Sequence, residues 1–262
     1  MTPTFPFGQP VKPVPPRRAP INDLFVLGAY PSALHVNWRA DDILRIQALP
    51  IDNEPVSFWT GADRVERVGA WKKNVGWQRE WGHVEAAKEI FNGSSGRSVR
   101  DEVIEPLGSS LDRAWVTDCL DLYHMSDGVH ERLLDDVGAR LETIGRSAVA
   151  LLPHPSEGGI VAEALTHHRE RIASELEESG APVLVTLGNA ALRVLADVLG
   201  VSTIRGLTPD LSAYGHPVHA RFGGREIVWY PVCHPGQRMP AYRRAHDVWK
   251  MAMSRGRRQI GP

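Results

Sequence analysis

The sequence predicts an α/β fold: a three-layer α/β/α domain around a central, mainly parallel four-stranded sheet. Four apolar runs, at 24–27, 115–118, 183–187 and 227–232, lack the polar/apolar alternation of half-exposed strands, as expected for strands buried on both faces. Helical patterns separate these runs, and right-handed β-α-β crossovers then place helices on both faces of the sheet. Each run also ends in turn chemistry, at the carboxyl edge where open α/β sheets bind ligands. With 262 residues and 42% hydrophobic content, the chain can bury a sizeable core as a single domain at 21–258, behind an irregular arm at 1–20.

The arm is proline-rich, with Pro3, Pro6, Pro10 and Pro13 ahead of Pro15-Pro16-Arg17-Arg18, and holds no apolar stretch of signal-peptide or membrane-span length. The first strand closes at Gly28. From 38 to 81 the sequence carries Asp41-Asp42, Phe58-Trp59, Trp71, Trp77 and Trp81 with few periodic signals, which predicts a loop-rich stretch. A helix is expected at 85–91, a break at Asn92-Gly93-Ser94-Ser95-Gly96, and resumed helix over 99–107 up to Gly108. Trp115-Val116-Thr117-Asp118 is the second strand.

Beyond it, Leu133, Leu134, Val137, Leu141 and Ile144 form a helical stripe within 130–144. Residues 147–152 read as a short strand or extended connector, and 160–179 as a polar helix stopped by Gly180. The strand at 183–187, the Gly188-Asn189 turn and a helix at 190–199 ended by Gly200 form the clearest β-turn-α unit. A hairpin at 217–222 and 226–232, turning at Gly223-Gly224, delivers its second arm to the main sheet, and a basic helix at 241–255 closes the chain.

The formal net charge is −1, so a polyanionic partner would have to be met by a local basic patch. The two cysteines, Cys119 and Cys233, are too few for a four-thiolate zinc or iron–sulfur site and fit a reducing cytoplasm as ordinary buried thiols. No cofactor and no metal are expected.

Gly28-Ala29-Tyr30-Pro31-Ser32, Thr117-Asp118, Leu187-Gly188-Asn189-Ala190-Ala191-Leu192 and His234-Pro235-Gly236 follow the four strands in this order. The set resembles the uracil-DNA glycosylase superfamily over 24–250. The resemblance implies a protein that acts on DNA, everts a nucleotide, reads its base and hydrolyses the N-glycosidic bond. It makes His234 the donor facing the departing base, where a preorganised hydrogen bond stabilises developing negative charge. Gly28, Pro31 and Gly236 then shape turns that approach the everted nucleotide, and Asn189 joins the substrate-binding turns.

Two departures from the family pattern matter. Ala29 and Tyr30 stand where several members carry an Asp, Asn or Glu that handles the attacking water. A Tyr hydroxyl, with an ordinary pKa of about 10, is a poor general base. A loop acid is therefore needed, from among Asp41, Asp42, Asp52 and Glu54; Asp52 and Glu54, beside the Pro55 turn, are preferred. The base-reading Asn of uracil-specific members is replaced by Asp118, or by Asp121 under a shifted alignment. A carboxylate only accepts hydrogen bonds, which suits the cytosine amino group or the N1–H and N2 amino of guanine better than uracil, whereas an Asp kept protonated by burial donates as well.

Ser32 stands where uracil-specific members have a bulky Tyr, so the pocket opens toward a modified or damaged base. Phe58 or Trp59 is the candidate stacking platform. Gly236, Gln237, Arg238, Tyr242 and Arg243, with Arg244, follow the last turn and are candidate DNA contacts: arginines for phosphates, and Met239 or Tyr242 as the wedge that fills the stack. Lys72, Lys73, Arg255, Arg257 and Arg258 extend the basic set. A non-catalytic nucleic-acid-binding protein of the same fold is the alternative function. A small-molecule hydrolase ranks third, because no Gly-x-Ser-x-Gly elbow is present.

Overall fold

The computed structural model describes residues 3–41, 45–125, 131, 137–146, 152–202, 206–207, 213–237 and 239–258. In chain order these residues form β1 (Leu24–Gly28), β2 (Ala33–Arg39), β3 (Arg45–Asn53), α1 (Arg64–Asn74), β4 (His83–Ala86), α2 (Ser94–Val99), β5 (Ala114–Asp118) and β6 (His124–Met125). They continue with α3 (Ala139–Thr143), β7 (Leu152–Pro153), α4 (Glu157–Glu163), α5 (Arg169–Ser179), β8 (Val183–Leu187), α6 (Asn189–Leu199), β9 (Val218–Phe222), β10 (Arg225–Val232) and α7 (Pro240–Arg258).

The main sheet has the order β5-β1-β8-β10-β9. β5, β1, β8 and β10 are mutually parallel, and β9 pairs antiparallel with β10 at the edge. The fold is thus α/β with a mostly parallel sheet, but the sheet has five strands where the sequence predicts four. The extra one is the first arm of the hairpin, whose exposed alternate residues belong to a sheet edge. All five residues of β1 are buried, which is why its sequence does not alternate. Helices flank the sheet, and apolar residues such as Phe25, Val116, Val185, Leu192 and Trp229 form one continuous core.

The register brings the strand ends to one rim. Gly28 lies opposite Asp118 across β1 and β5, and Leu187 lies opposite Val232 across β8 and β10. Any side chain one or two residues beyond these ends therefore projects over the same edge of the sheet.

The stretch at 38–81 is not loop-rich. It belongs to a second, antiparallel sheet of order β3-β2-β4, backed by α1 and by an aromatic cluster in which Phe7 contacts Trp38, Trp71, Trp77 and Trp81. Pairing between β2 and β3 slips at Leu34/His35 and again at Val36/Trp38, and β3 contains Pro50 and a left-handed Ala48 (φ 53°). Such bulges erase the period-two signal a strand otherwise writes into its sequence. The helix expected at 85–91 is also absent: 83–86 is β4, and the turn after it is anchored by the buried side chain of Asn92, which bonds the main chain of His35 on both sides and the Ala87 carbonyl. The expected break at 92–96 already contains the first turn of α2.

The polar helix at 160–179 is present as α4 and α5 joined through a wider turn at Ala164–His168, and it stops at Gly180; the unit from β8 through α6 to Gly200 forms as expected. Most of the helix expected at 130–144 and of the connector at 147–152 lies outside the described residues. The N-terminal arm is irregular, but Phe5, Phe7, Val11 and Val14 are buried, and Arg17 bridges to Val116 on β5. The arm also holds the segment after β3, where the Ser57 amide donates to the Pro15 carbonyl at 2.9 Å.

Candidate functional site

A cavity of about 330 Å³ opens at the rim of the parallel sheet. It lies at the low end of the volumes usual for small-ligand sites, roughly 300–1,000 Å³, which suits one heterocycle. Ala29, Tyr30, Pro31 and Ser32 line it from the end of β1, Asp118 from the end of β5, Leu187 from the end of β8 and His234 from just beyond β10. Glu54 and Phe58 enter from the segment after β3. Three groups distant in the chain, Tyr30, Asp118 and His234, thus meet in one place.

Gly28 is what lets these walls close. A Cβ at this position would sit 2.3 Å from Asp118 Oδ1 and 2.6 Å from the Phe58 ring, inside both van der Waals envelopes. Gly28→Ala is accordingly expected to overpack the site and destabilise the fold by about 1–3 kcal/mol. A thermal melt matching that of the parent protein would contradict this.

Phe58, held at φ 54° and nearly buried, stacks on the His234 ring with centroids 6.2 Å apart and planes 28° apart. His234 is oriented from its other side: the Gly236 amide donates to its Nδ1 at 3.0 Å. A nitrogen that accepts carries no proton, so the neutral ring has its hydrogen on Nε2. Burial pushes the His234 pKa down to about 4, which keeps the ring neutral near pH 7.

Glu54 and Asp118 form the acidic wall. Glu54 is buried, and its Oε1 accepts from the Ser32 amide at 3.0 Å. Burial and then the nearby Asp118 charge push its pKa up to about 8. Burial likewise raises Asp118 to about 7, against the Ser57 hydroxyl and the Arg171 charge, which lower it. The hydroxyl acts on the Asp118 carboxyl without completing a hydrogen bond of ordinary geometry, since neither carboxyl oxygen has a partner. Tyr30, whose ring edges meet His124 and His154, has its pKa raised by burial and by Asp118, so its phenol stays protonated and does not act as a base.

Several expected site residues lie elsewhere. Asp52 belongs to β3 and its carboxyl turns back to Asn53, accepting from that amide at 2.8 Å, so of the preferred loop acids only Glu54, the first residue past the strand, reaches the cavity. Asn189 opens α6, and its Oδ1 is taken by the Leu207 amide at 2.7 Å; Leu187 holds the cavity wall in its place. Trp59 turns into the second core and bonds Asp63, leaving Phe58 as the aromatic of the site. Tyr242 packs on the main core with its hydroxyl on the Leu207 carbonyl, so it is not a free wedge, whereas Met239 is 55% exposed.

Gly236 follows the His234 turn, and Gln237 and Arg243 border a neighbouring polar hollow with Glu102 and Lys250. Arg238 and Asp42 lie outside the described residues. Ser95, Ser57 and Tyr123 were missed. A readable signal existed for Ser95: the Gly-rich 92–96 run includes Gly96, where a Cβ would stand 2.2 Å from the Phe58 carbonyl, so that α2 passes directly beside the Phe58 turn.

Cys119 and Cys233 are free, buried thiols whose pKa values burial raises. Among the described residues, no group of three or more His, Cys, Asp or Glu side chains is placed to hold a metal ion, and no helix is long and apolar enough to cross a membrane. Compared with models of known protein families and with curated proteins, the chain matches none.

Proposed function

We propose that this protein is a DNA glycosylase, a divergent relative of the uracil-DNA glycosylase superfamily, that everts a nucleotide and hydrolyses the N-glycosidic bond of a modified or damaged base other than plain uracil. The observation that carries this reading is the meeting of Tyr30, Asp118 and His234 around one base-sized cavity beside Phe58. In the reaction the bond from C1′ to the base nitrogen breaks and its electron pair leaves with the base. The His234 Nε2–H donates to the base as that charge develops. Water adds to the sugar carbon and loses a proton, for which ionised Glu54 is the acceptor on the cavity wall. The protein acts as a monomer on DNA in the reducing cytoplasm, without a cofactor.

The test is abasic-site formation on oligonucleotides carrying uracil, hypoxanthine, xanthine or modified cytosines, from neutral to mildly alkaline pH. Product that increases as Glu54 ionises is expected. The raised pKa of Glu54 favours a second reading, a protein that binds an everted base without cleaving it, because a protonated carboxyl is no base near pH 7. Salt-dependent binding with no product from any substrate would select that reading.

For DNA contact the proposal uses the segment after His234, with Arg243 at a phosphate and Met239 as the wedge. Arg243→Ala is then expected to weaken binding similarly across sequences and to reduce the slope of log K against log salt by about one. An unchanged slope would remove Arg243 from the interface.

A further inference from the structure

Two carboxyls share the wall of the cavity, one more than a uracil reader needs. Asp118 is 2% exposed and Glu54 5%. Glu54 is held in place by the Ser32 and Phe58 main chain. Asp118 presents two oxygens, each buried and without a hydrogen-bond partner, on the wall of a cavity; burying such acceptors unpaired is costly unless a ligand supplies the donors.

Charges reach the pair from two elements. Arg17 of the arm acts on Glu54, while Arg171 and Glu175, both of α5, act on Asp118 with opposite sign. The Arg171 donors are already used by the Asp118 and Cys119 carbonyls, the Thr117 hydroxyl and Glu175, so its guanidinium does not bond the Asp118 carboxyl. Two like charges on one small wall do not ionise together, and the pair carries a single proton near neutral pH. Asp118, whose oxygens are unpartnered, is the carboxyl on which the N–H donors of a ligand hold the charge.

The wall therefore offers two unpartnered acceptors on Asp118. We propose that Asp118 reads the base, and that the base it selects presents two adjacent N–H donors, the Watson–Crick edge of a 2-amino-6-oxopurine. N1–H and the N2 amino group pair side by side with the Asp118 carboxylate, in the manner of an amidinium–carboxylate fork. Uracil and xanthine turn a carbonyl toward Asp118, and hypoxanthine lacks the second donor. The modification then lies away from this edge, as in a guanine oxidised or alkylated on its imidazole ring. This inference rests on the cavity holding a base, as proposed above, and does not require that the base be cleaved.

The test is calorimetric titration of the full chain with 2′-deoxyguanosine, 2′-deoxyinosine, 2′-deoxyxanthosine and 2′-deoxyuridine, repeated with Asp118→Asn and Glu54→Gln. Deoxyguanosine is expected to bind on the order of tenfold or more tighter than deoxyuridine. Asp118→Asn should reverse that order, because an amide supplies a donor beside its acceptor, and Glu54→Gln should keep it, because Asp118 is untouched. Equal or tighter binding of deoxyuridine or deoxyxanthosine to the parent protein, or no binding of any of the four, overturns the inference, and this parent ranking decides even where a variant fails to fold. Deoxyguanosine binding without abasic product from any oligonucleotide supports this inference and removes the hydrolase reading. Excision of uracil as readily as of a 2-amino-6-oxopurine does the reverse.

Discussion

His234→Ala is expected to lower single-turnover base excision by about 10²- to 10³-fold, the usual loss when one preorganised donor to a developing anion is removed. The expectation follows from local geometry. The Gly236 amide occupies Nδ1, so the only proton on the neutral ring sits on Nε2. Burial keeps the ring neutral down to about pH 4, so the donor carries no charge that would have to be lost near neutrality. Because the hydrogen bond strengthens only as charge builds on the base, the loss should fall on the chemical step and leave DNA affinity nearly unchanged. His234→Gln, which retains an N–H donor, should recover part of the rate. Parent-like excision by the alanine variant would remove His234 from the chemistry.

The second large effect is on stability as a function of pH. Glu54 and Asp118 have folded pKa values of about 8 and about 7, above their ordinary values of 4.5 and 3.8. The folded state therefore binds more protons than the unfolded chain, and stability falls as pH rises until the folded values are passed. His234 and His35 run the other way: burial lowers each from 6.5 to about 4, so their contribution is complete above 6.5 and is lost on acidification. Between about pH 4.5 and 6.5 the two trends oppose, and His168 and His246, whose pKa values burial also lowers, add to the histidine side. From pH 6.5 to 8 only the carboxyls still titrate, and stability should drop by on the order of 2–3 kcal/mol, roughly 5–10 °C in Tm for a domain of this size. Glu54→Gln keeps the buried amide neutral and should flatten most of that decline. A Glu54→Gln melting profile that falls in parallel with the parent profile would show that Glu54 ionises freely in the folded protein.

Much of the site is legible in the sequence because parallel strands record their own ends. Gly28, Asp118, Leu187 and His234 each follow an apolar run that does not alternate, and in-register pairing then makes their meeting a matter of sheet geometry. What escapes notice is what depends on contacts between segments. The second sheet hides behind two slips in pairing, Pro50 and the left-handed Ala48. Asp52 and Glu54 are equivalent in sequence, and only the end of β3 at Asn53 separates a strand carboxyl from a cavity carboxyl. Asn189 matches a motif by position, but its Oδ1 already accepts from the Leu207 amide. Ser95 stands in a stretch that reads as a break, yet the glycines there serve close approach to the Phe58 turn.

The direct measurement is a crystal structure of the protein with a DNA duplex whose 2-amino-6-oxopurine nucleotide carries a 2′-fluoro substituent, which slows loss of the base. The expected result is that nucleotide rotated out of the stack, its base against Phe58, its Watson–Crick edge on Asp118, and His234 Nε2 within hydrogen-bond distance of the ring. A duplex bound with every base still stacked, or DNA seated on a face away from this rim, would contradict it.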